Sequence, residues 1–272
     1  MPTFGKNIVE KEIRFKQYKK IADNKYSYYF QKIKPNKITI IKKLKSFTIH
    51  IIKSSKSNII FVNNKRYSLK DGEVFQFENS FAKIESTNSM LEILIVGTKK
   101  SQIKHKIIKF TNYKDIYKVT KPWGYELWLN GRHKNYSFKK IFLKKGFKTS
   151  LQYHVKKKET NLLYHGTAEL IYKKNPKISN LRVKEKDLGN LKIKSISKIS
   201  VNPNTLHRIK AISNLTLYEA STPELDDVIR VSDDSKRSNY KNYENFMGNW
   251  FMEFSGNRNI LFIEMDTWRT NQ

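Results

Sequence analysis

The stretch TSLQYHVKKKET, residues 149–160, determines how the rest of the sequence is interpreted. Its first half alternates apolar and polar residues, which is typical of a β-strand with one buried face. Gln152 and His154 are two residues apart, so their side chains point to the same face of that strand. Glu159 follows a lysine turn and can return to that face. The stretch is therefore either a half-buried strand with ordinary polar residues or three parts of a metal site.

Strand-length segments rich in β-branched and aromatic residues occur on both sides of this stretch. They recur roughly every ten residues, which favours an all-β sandwich or barrel. One series runs from residue 27 to 98 and a second from 136 to 221, so we expect two β-modules joined near residues 100–120. The first module holds His50 but no cluster of histidine and glutamate, which predicts a structural or degenerate half.

The composition excludes several classes of function. The net charge is +30, but only nine of the 54 basic residues are arginine, and the lysines are scattered along the strands. Specific nucleic-acid surfaces favour arginine, so we predict a solvated lysine-rich face and no nucleic-acid partner. The chain has no cysteine, which fits a reducing cytoplasm. No apolar run is long enough to cross a membrane, and the first residues lack the apolar core of a signal peptide. We therefore expect a cytoplasmic protein without a membrane partner.

The residues that carry chemistry follow a definite order between residues 146 and 207. This order resembles the two motifs of the cupin superfamily: a glycine, a His-x-His strand, a glutamate and a second glycine, followed later by a proline turn and another histidine. Gln152 stands where most of that superfamily has its first histidine. The matching positions here are Gly146, Gln152, His154, Glu159, Gly166, Pro203 and His207.

The glutamine narrows the resemblance to one family. Segments along residues 121–237 look like those of the type II phosphomannose isomerases, which carry a PWG segment, an SLQ-x-H strand, a GTA turn, an HR strand and a DDIVR tail. Here they are Pro122-Trp123-Gly124, Ser150-Leu151-Gln152 with His154, Gly166-Thr167-Ala168, His207-Arg208 and Asp226-Asp227-Val228-Ile229-Arg230. The resemblance covers less than half of the chain, and His165 stands where the family has a small residue.

The resemblance implies an all-β fold of cupin, or double-stranded β-helix, barrels: a bicupin with a degenerate first barrel. We predict a first module over residues 1–110 and a metal-binding cupin domain over 111–234. The aromatic-rich tail, residues 235–272, is expected to pack on the barrel or on a partner subunit of a homodimer.

The resemblance also implies roles for individual residues. The predicted ligands of a divalent metal ion, zinc first and iron, manganese, cobalt or nickel otherwise, are Gln152, His154, Glu159 and His207. The predicted catalytic residues are Arg230, Glu219 and Lys158, and the predicted substrate-binding residues are Lys139, Lys121 and His165. Each has a plain structural alternative: an ion pair for Arg230, a turn cap for His165, and a solvated surface for any lysine in so basic a chain.

The implied reaction is a metal-dependent aldose–ketose isomerisation of a sugar phosphate like mannose 6-phosphate, through an enediolate. Glu219, Lys158 and a metal-bound hydroxide all remain open as the base. Two alternatives also remain open. His154, Glu159 and His207 form a two-histidine, one-carboxylate set that suits an Fe(II) dioxygenase or an epimerase. The unmatched first module instead suits a non-catalytic sugar-binding bicupin.

Overall fold

A computed structural model describes residues 9–10, 18–20, 25–55, 58–62, 65–131, 133–174, 183 and 185–235 of the chain. The predicted tail over residues 235–272 lies outside this part from position 236 onward. The helices of the described part are two short 3-10 turns, Tyr113–Asp115 and Glu185–Asp187. Neither they nor any other described segment forms a helix long and apolar enough to cross a membrane. The predicted all-β architecture is confirmed.

The first eleven strands end by Thr111, and all but β1 belong to two antiparallel sheets. The six-stranded sheet has the order β11-β8-β5-β10-β3-β2, and the four-stranded sheet has the order β4-β9-β6-β7. We call this pair of sheets the first barrel. The strands are β1 (Val9–Glu10), β2 (Tyr18–Lys20), β3 (Ser27–Ile33), β4 (Lys37–Ile41), β5 (Ser46–Lys53), β6 (Ile59–Val62), β7 (Lys65–Ser68), β8 (Val74–Glu78), β9 (Ala82–Ser86), β10 (Leu91–Thr98) and β11 (Ile107–Thr111).

The next eleven strands form the second barrel, again from two antiparallel sheets. They are β12 (Tyr117–Lys121), β13 (Gly124–Trp128), β14 (Ser137–Leu143), β15 (Leu151–Tyr153), β16 (Glu159–His165), β17 (Thr167–Lys174), β18 (Gly189–Lys194), β19 (Ser197–Val201), β20 (Thr205–Ala211), β21 (Leu215–Ser221) and β22 (Ile229–Ser232). The seven-stranded sheet has the order β1-β19-β16-β21-β14-β13-β12, and the five-stranded sheet has the order β18-β17-β20-β15-β22. The early strand β1 thus pairs with β19 of the second barrel.

Alternation of buried and exposed residues explains why these segments form strands around shared cores. In β9 and β19 every second residue is buried, which is the period-two pattern of a strand with one face on the core. The interior of the first barrel is apolar and includes Phe47, Ile49 and Phe77. The second barrel has its own apolar core, which includes Leu143, Leu163 and Leu217.

The two barrels are joined back to back through their larger sheets. A third apolar cluster fills this interface, with Tyr28 and Leu94 on one side and Phe138 and Tyr218 on the other. The Tyr28 hydroxyl donates a buried hydrogen bond of 3.1 Å to the main-chain oxygen of Tyr218. The seven-stranded sheet of the second barrel is therefore packed on both faces, against its own barrel core and against the first barrel.

Candidate metal centre

Two histidines and a glutamate meet at one end of the second barrel. His154 follows β15 directly, Glu159 is the first residue of β16, and His207 lies in β20 on the facing sheet. All three are buried, and their ligand atoms lie within 4.8 Å of one another. The family resemblance implied this group, with Gln152 as a fourth ligand. It is the one such group of histidine, aspartate and glutamate found among the described residues.

Both imidazole rings are held from behind by main-chain carbonyls. His154 Nδ1 donates to the oxygen of Asp227, and His207 Nδ1 donates to the oxygen of Thr205 at 2.9 Å. A ring whose Nδ1 is the donor keeps a lone pair on Nε2 when it is neutral. The two Nε2 atoms lie 3.4 Å and 3.2 Å from the carboxylate oxygens of Glu159. In the neutral rings both lone pairs therefore face the same carboxylate.

A divalent cation fits this arrangement. Lone pairs on two buried nitrogens facing an anionic oxygen repel one another unless a positive charge lies between them. Buried His154 Nε2 makes no hydrogen bond within the described part of the chain. Imidazole nitrogen and carboxylate oxygen are ligands for zinc and for other divalent transition metals, and a carbonyl behind each ring is the usual support of metal-binding histidines. The cluster can hold a metal, and its donors do not select one.

Lys157 is a buried residue of this centre that the sequence interpretation missed. Its Nζ donates to Glu159 Oε2 at 2.7 Å and to Glu219 Oε1 at 2.9 Å. Burial alone would lower the pKa of Lys157, but the two carboxylates raise it above its usual value. Burial would likewise raise the pKa of Glu159, but the Lys157 ammonium lowers it well below its usual range. The lysine is therefore protonated and the glutamate ionised at neutral pH.

Asp227 fixes the turn that carries Lys157. Its carboxylate accepts hydrogen bonds from the main-chain N–H groups of Val155, Lys156 and Lys157, at 3.1, 2.5 and 2.7 Å. Burial opposes ionisation, but donation from the main-chain N–H groups of Lys157, Lys156 and Val155 together lowers the pKa of Asp227 below its ordinary value of 3.8. One residue thus holds the lysine turn through its side chain and His154 through its main chain.

Replacement of Asp227 by alanine is expected to cost about 1 kcal/mol at pH 7, since the lost bonds involve a charged but partly exposed group. Because the folded pKa is depressed, this stabilisation is present above pH 4 and is lost as the pH falls through the folded pKa. Thermal unfolding of wild type and variant at pH 7 and pH 3 would check this. A difference in melting temperature that did not narrow at pH 3 would contradict it.

Gln152 and Arg230 lie beside the cluster on neighbouring strands. Gln152 is directly opposite His207 on β20 and opposite Arg230 on β22. Side chains of directly paired residues share one face of a sheet, so Arg230 and Gln152 extend the face that carries His207. Gln152 Oε1 accepts a bond of 2.6 Å from the Ser150 hydroxyl, and an amide oxygen has a second lone pair. The structure thus places Gln152 next to His207 and Arg230 one strand further along the same face.

Glu219 and Lys139 form a cross-strand pair on the opposite wall. They are directly paired on β21 and β14, and Glu219 is buried. Glu219 reaches the centre through its bond to Lys157, while Lys139 Nζ lies 3.4 Å from Glu126 Oε2. Both predicted residues therefore face the barrel interior, and both are paired with an opposite charge.

The structure does not bring the remaining predicted residues to the cluster. The main chain of Lys158 is paired with Thr222, and the buried contact to Glu159 belongs to its neighbour Lys157. His165 is exposed at the far end of β16, six residues and about 20 Å of strand from Glu159. Lys121, at the end of β12, lies near Glu126 instead: burial would raise the pKa of that carboxyl, but Lys139 and then Lys121 lower it.

Known structures identify the fold. An IolB-like protein from Salmonella typhimurium superposes with a TM-score of 0.62 at 6% identity, over 79% of this chain and 91% of its own. Oxalate decarboxylase from Lactobacillus farciminis superposes with a TM-score of 0.60 at 9% identity, over 82% of this chain and 88% of its own. Vicilin from hazelnut, Corylus avellana, superposes with a TM-score of 0.52 at 10% identity, over 73% of this chain and 75% of its own. No protein-family model and no curated protein matches the sequence.

These likenesses define the fold class: the chain has the all-β, two-barrel cupin fold, as the sequence predicted. At such low identity they show the fold alone. One of these proteins is named as an enzyme and another as a vicilin, so the fold does not decide between catalysis and other roles. The function has to be argued from the centre itself.

Proposed function

We propose that this protein is a metal-dependent aldose–ketose isomerase of a sugar or sugar phosphate, with mannose 6-phosphate as the first candidate that the family resemblance implies. The observation that carries the proposal is the pair of buried Nε2 atoms at 3.4 and 3.2 Å from Glu159, with Gln152 beside them. A divalent ion held there would supply Lewis acidity toward the carbonyl and hydroxyl oxygens of the substrate.

The neighbouring side chains supply the proton chemistry that isomerisation needs. Glu219 is the carboxylate of this group that is not part of the ligand cluster, and we assign it as the base that moves a proton between the two adjacent substrate carbons. The Lys157 ammonium and the Arg230 guanidinium are cationic, and they would stabilise negative charge as it develops on the substrate oxygens. Burial at this end of the barrel strengthens such electrostatic effects.

A second candidate rests on the same ligands. His154, Glu159 and His207 form the two-histidine, one-carboxylate set of Fe(II) oxygen chemistry. A salicylate 1,2-dioxygenase from Pseudoaminobacter salicylatoxidans shares the fold, with a TM-score of 0.51 at 9% identity. Metal analysis of the purified protein separates the two candidates: bound iron with oxygen consumption favours the dioxygenase. A protein that binds sugar but no metal would contradict both candidates and favour a non-catalytic binding role.

The isomerase proposal is tested by a substrate screen. Metal-depleted protein is reloaded with Zn, Co, Mn or Ni and incubated with mannose, mannose 6-phosphate and the corresponding pentoses and pentose phosphates. We expect interconversion of at least one aldose–ketose pair, and a loss of about 10- to 100-fold in metal affinity or turnover for Gln152→Ala. The exposed His165→Ala is the matched control and should behave as wild type. Absence of turnover with every metal and sugar would refute the isomerase.

A further inference from the structure

A row of polar and aromatic side chains crosses one wall of the second barrel, from the metal centre to its outer strand. Direct cross-strand pairing links each member to the next over five strands. Direct partners share a face, so the whole row lies on the face that carries the centre. We call this set the polar row; it consists of Asn161, Glu219, Lys139, Trp128 and Tyr117.

The inner end of the polar row touches the metal centre. Asn161 Nδ2 donates to Glu159 Oε1 at 3.3 Å, and Glu219 shares Lys157 with the other oxygen of that carboxylate. A molecule bound at the centre therefore meets the first two members of the row directly.

Accessibility rises toward the outer end. The side chain of Glu159 is 5% exposed, those of Glu219 and Lys139 are 11% and 12%, and Tyr117 is exposed at 38%. Adjacent strands lie about 4.8 Å apart, so Glu219 and Trp128 are separated by about 10 Å. The row thus leads from the buried centre toward solvent, and its stretch from Glu219 to Trp128 is about the length of an extended hexose phosphate.

The outer part of the row offers donors, acceptors and an aromatic ring together. Trp128 Nε1 donates to Glu126 Oε2 at 3.0 Å, Lys139 Nζ lies 3.4 Å from the same oxygen, and the ammonium is 4.2 Å from the Trp128 ring centre. A carboxylate can accept further hydrogen bonds, and an ammonium can donate further ones. Rings with an apolar body beside a few fixed polar groups are characteristic of small-molecule sites.

The next row of the same wall shows that apolar residues fit this sheet. Apart from Glu126 it is apolar: Val119, Ile141, Leu217 and Leu163. Well-packed apolar residues in place of a half-buried charge pair are often neutral or stabilising. Glu126 is the polar exception in that row, and it turns its carboxylate to the polar row.

We propose that the polar row, together with Glu126, is the subsite for the hydroxylated carbon chain of a monosaccharide whose carbonyl end lies at the metal centre. This rests on the proposed function, and it adds the contacts that hold the remote part of the substrate. Alternating carboxylates and ammoniums suit hydroxyl groups, which both donate and accept hydrogen bonds. Because these charges are buried, solvent and salt screen them less than they screen charges on the surface.

Binding measurements test the subsite without depending on turnover. The zinc-loaded full chain is titrated calorimetrically with mannose, mannose 6-phosphate and inorganic phosphate, and Glu126→Gln and Lys139→Met are compared with wild type. Both variants are expected to weaken binding of the two sugars about tenfold, through loss of a charge-assisted hydrogen bond. Zinc affinity should be unchanged, since neither residue touches the ligand cluster. Glu169→Gln, in a partly exposed ion pair with Lys210 on the same barrel, is the matched control.

The outcomes distinguish a hydroxyl subsite from a phosphate site, and they test the subsite separately from the isomerase activity. Equal weakening for mannose and mannose 6-phosphate, with no change for inorganic phosphate, supports a hydroxyl subsite. Weakening confined to mannose 6-phosphate and inorganic phosphate would overturn it and identify a phosphate site. Sugar affinities that are undetectable in wild type, or unchanged in both variants, would also overturn it. Sugar binding without interconversion would leave the subsite intact and count against the isomerase.

Discussion

Replacement of His207 by alanine is expected to lower the affinity for a divalent metal more than 100-fold, beyond the 10- to 100-fold effect of losing a supporting partner. His207 contributes one of only two imidazoles, and its ring is already oriented by the Thr205 carbonyl. The protein should stay folded, because the barrel core is apolar and lies beside the centre. Competition with a chromogenic chelator measures the affinity, and thermal unfolding checks the fold.

His165→Ala is the matched control for this loss. The substitution is the same and lies in the same barrel, but His165 is exposed and remote from Glu159. We expect its metal affinity to equal that of wild type. Equal metal affinity in all three proteins would show that the cluster is not the metal site. Unfolding of His207→Ala without metal would instead show that the ion has a structural role.

Much of the centre could be predicted from the order of a few residues. Side chains two apart on a strand share a face, which placed Gln152 with His154. The proline-turn histidine, His207, could be added only through the family resemblance, because its contact with Glu159 bridges two sheets. Local sequence carries no information on which distant strand lies opposite.

The errors of placement have local physical causes. Lys157 lies two residues before Glu159, so the same period-two argument favours it over Lys158, but three consecutive lysines hide the distinction. His165 was expected near the substrate, yet the length of β16 carries it to the far end of the barrel, after a register shift between Leu163 and His165. Asp227 is one of two adjacent aspartates, and only the folded turn shows which of them accepts its main-chain N–H groups.

The family resemblance implied site roles for Glu219 and Lys139, but their arrangement in the polar row could not be predicted. Its members come from five strands, and cross-strand register depends on how the sheet assembles. In sequence Trp128 and Lys139 look like any half-buried aromatic residue and any lysine of a basic chain. Register is what turns them into neighbours of Glu219.

Replacement of Lys157 by methionine is expected to destabilise the metal-free protein by about 3–5 kcal/mol at neutral pH, the usual cost of removing one partner from a buried ion pair. The ammonium lies 2.7 and 2.9 Å from two buried carboxylates, and methionine keeps the volume without the charge. Without it, Glu159 and Glu219 repel each other, so at least one pKa rises above its value in the unfolded chain. The variant should therefore regain stability as the pH falls and a carboxyl group takes up a proton.

Three comparisons make this prediction specific to the carboxylate pair. Lys158→Met is the same change one residue later, at a half-buried site, and should cost less than about 1 kcal/mol. Lys157→Met combined with Glu219→Gln removes one of the two negative charges and should recover much of the loss. A divalent metal ion should also reduce the stability difference between wild type and Lys157→Met, because it supplies positive charge to Glu159 in place of the ammonium. Thermal unfolding at pH 5 and pH 8, with and without zinc, gives all three results. If Lys157→Met proved as stable as Lys158→Met at pH 8, Glu159 and Glu219 would not both be ionised. That result would contradict the assignment of Glu219 as a base.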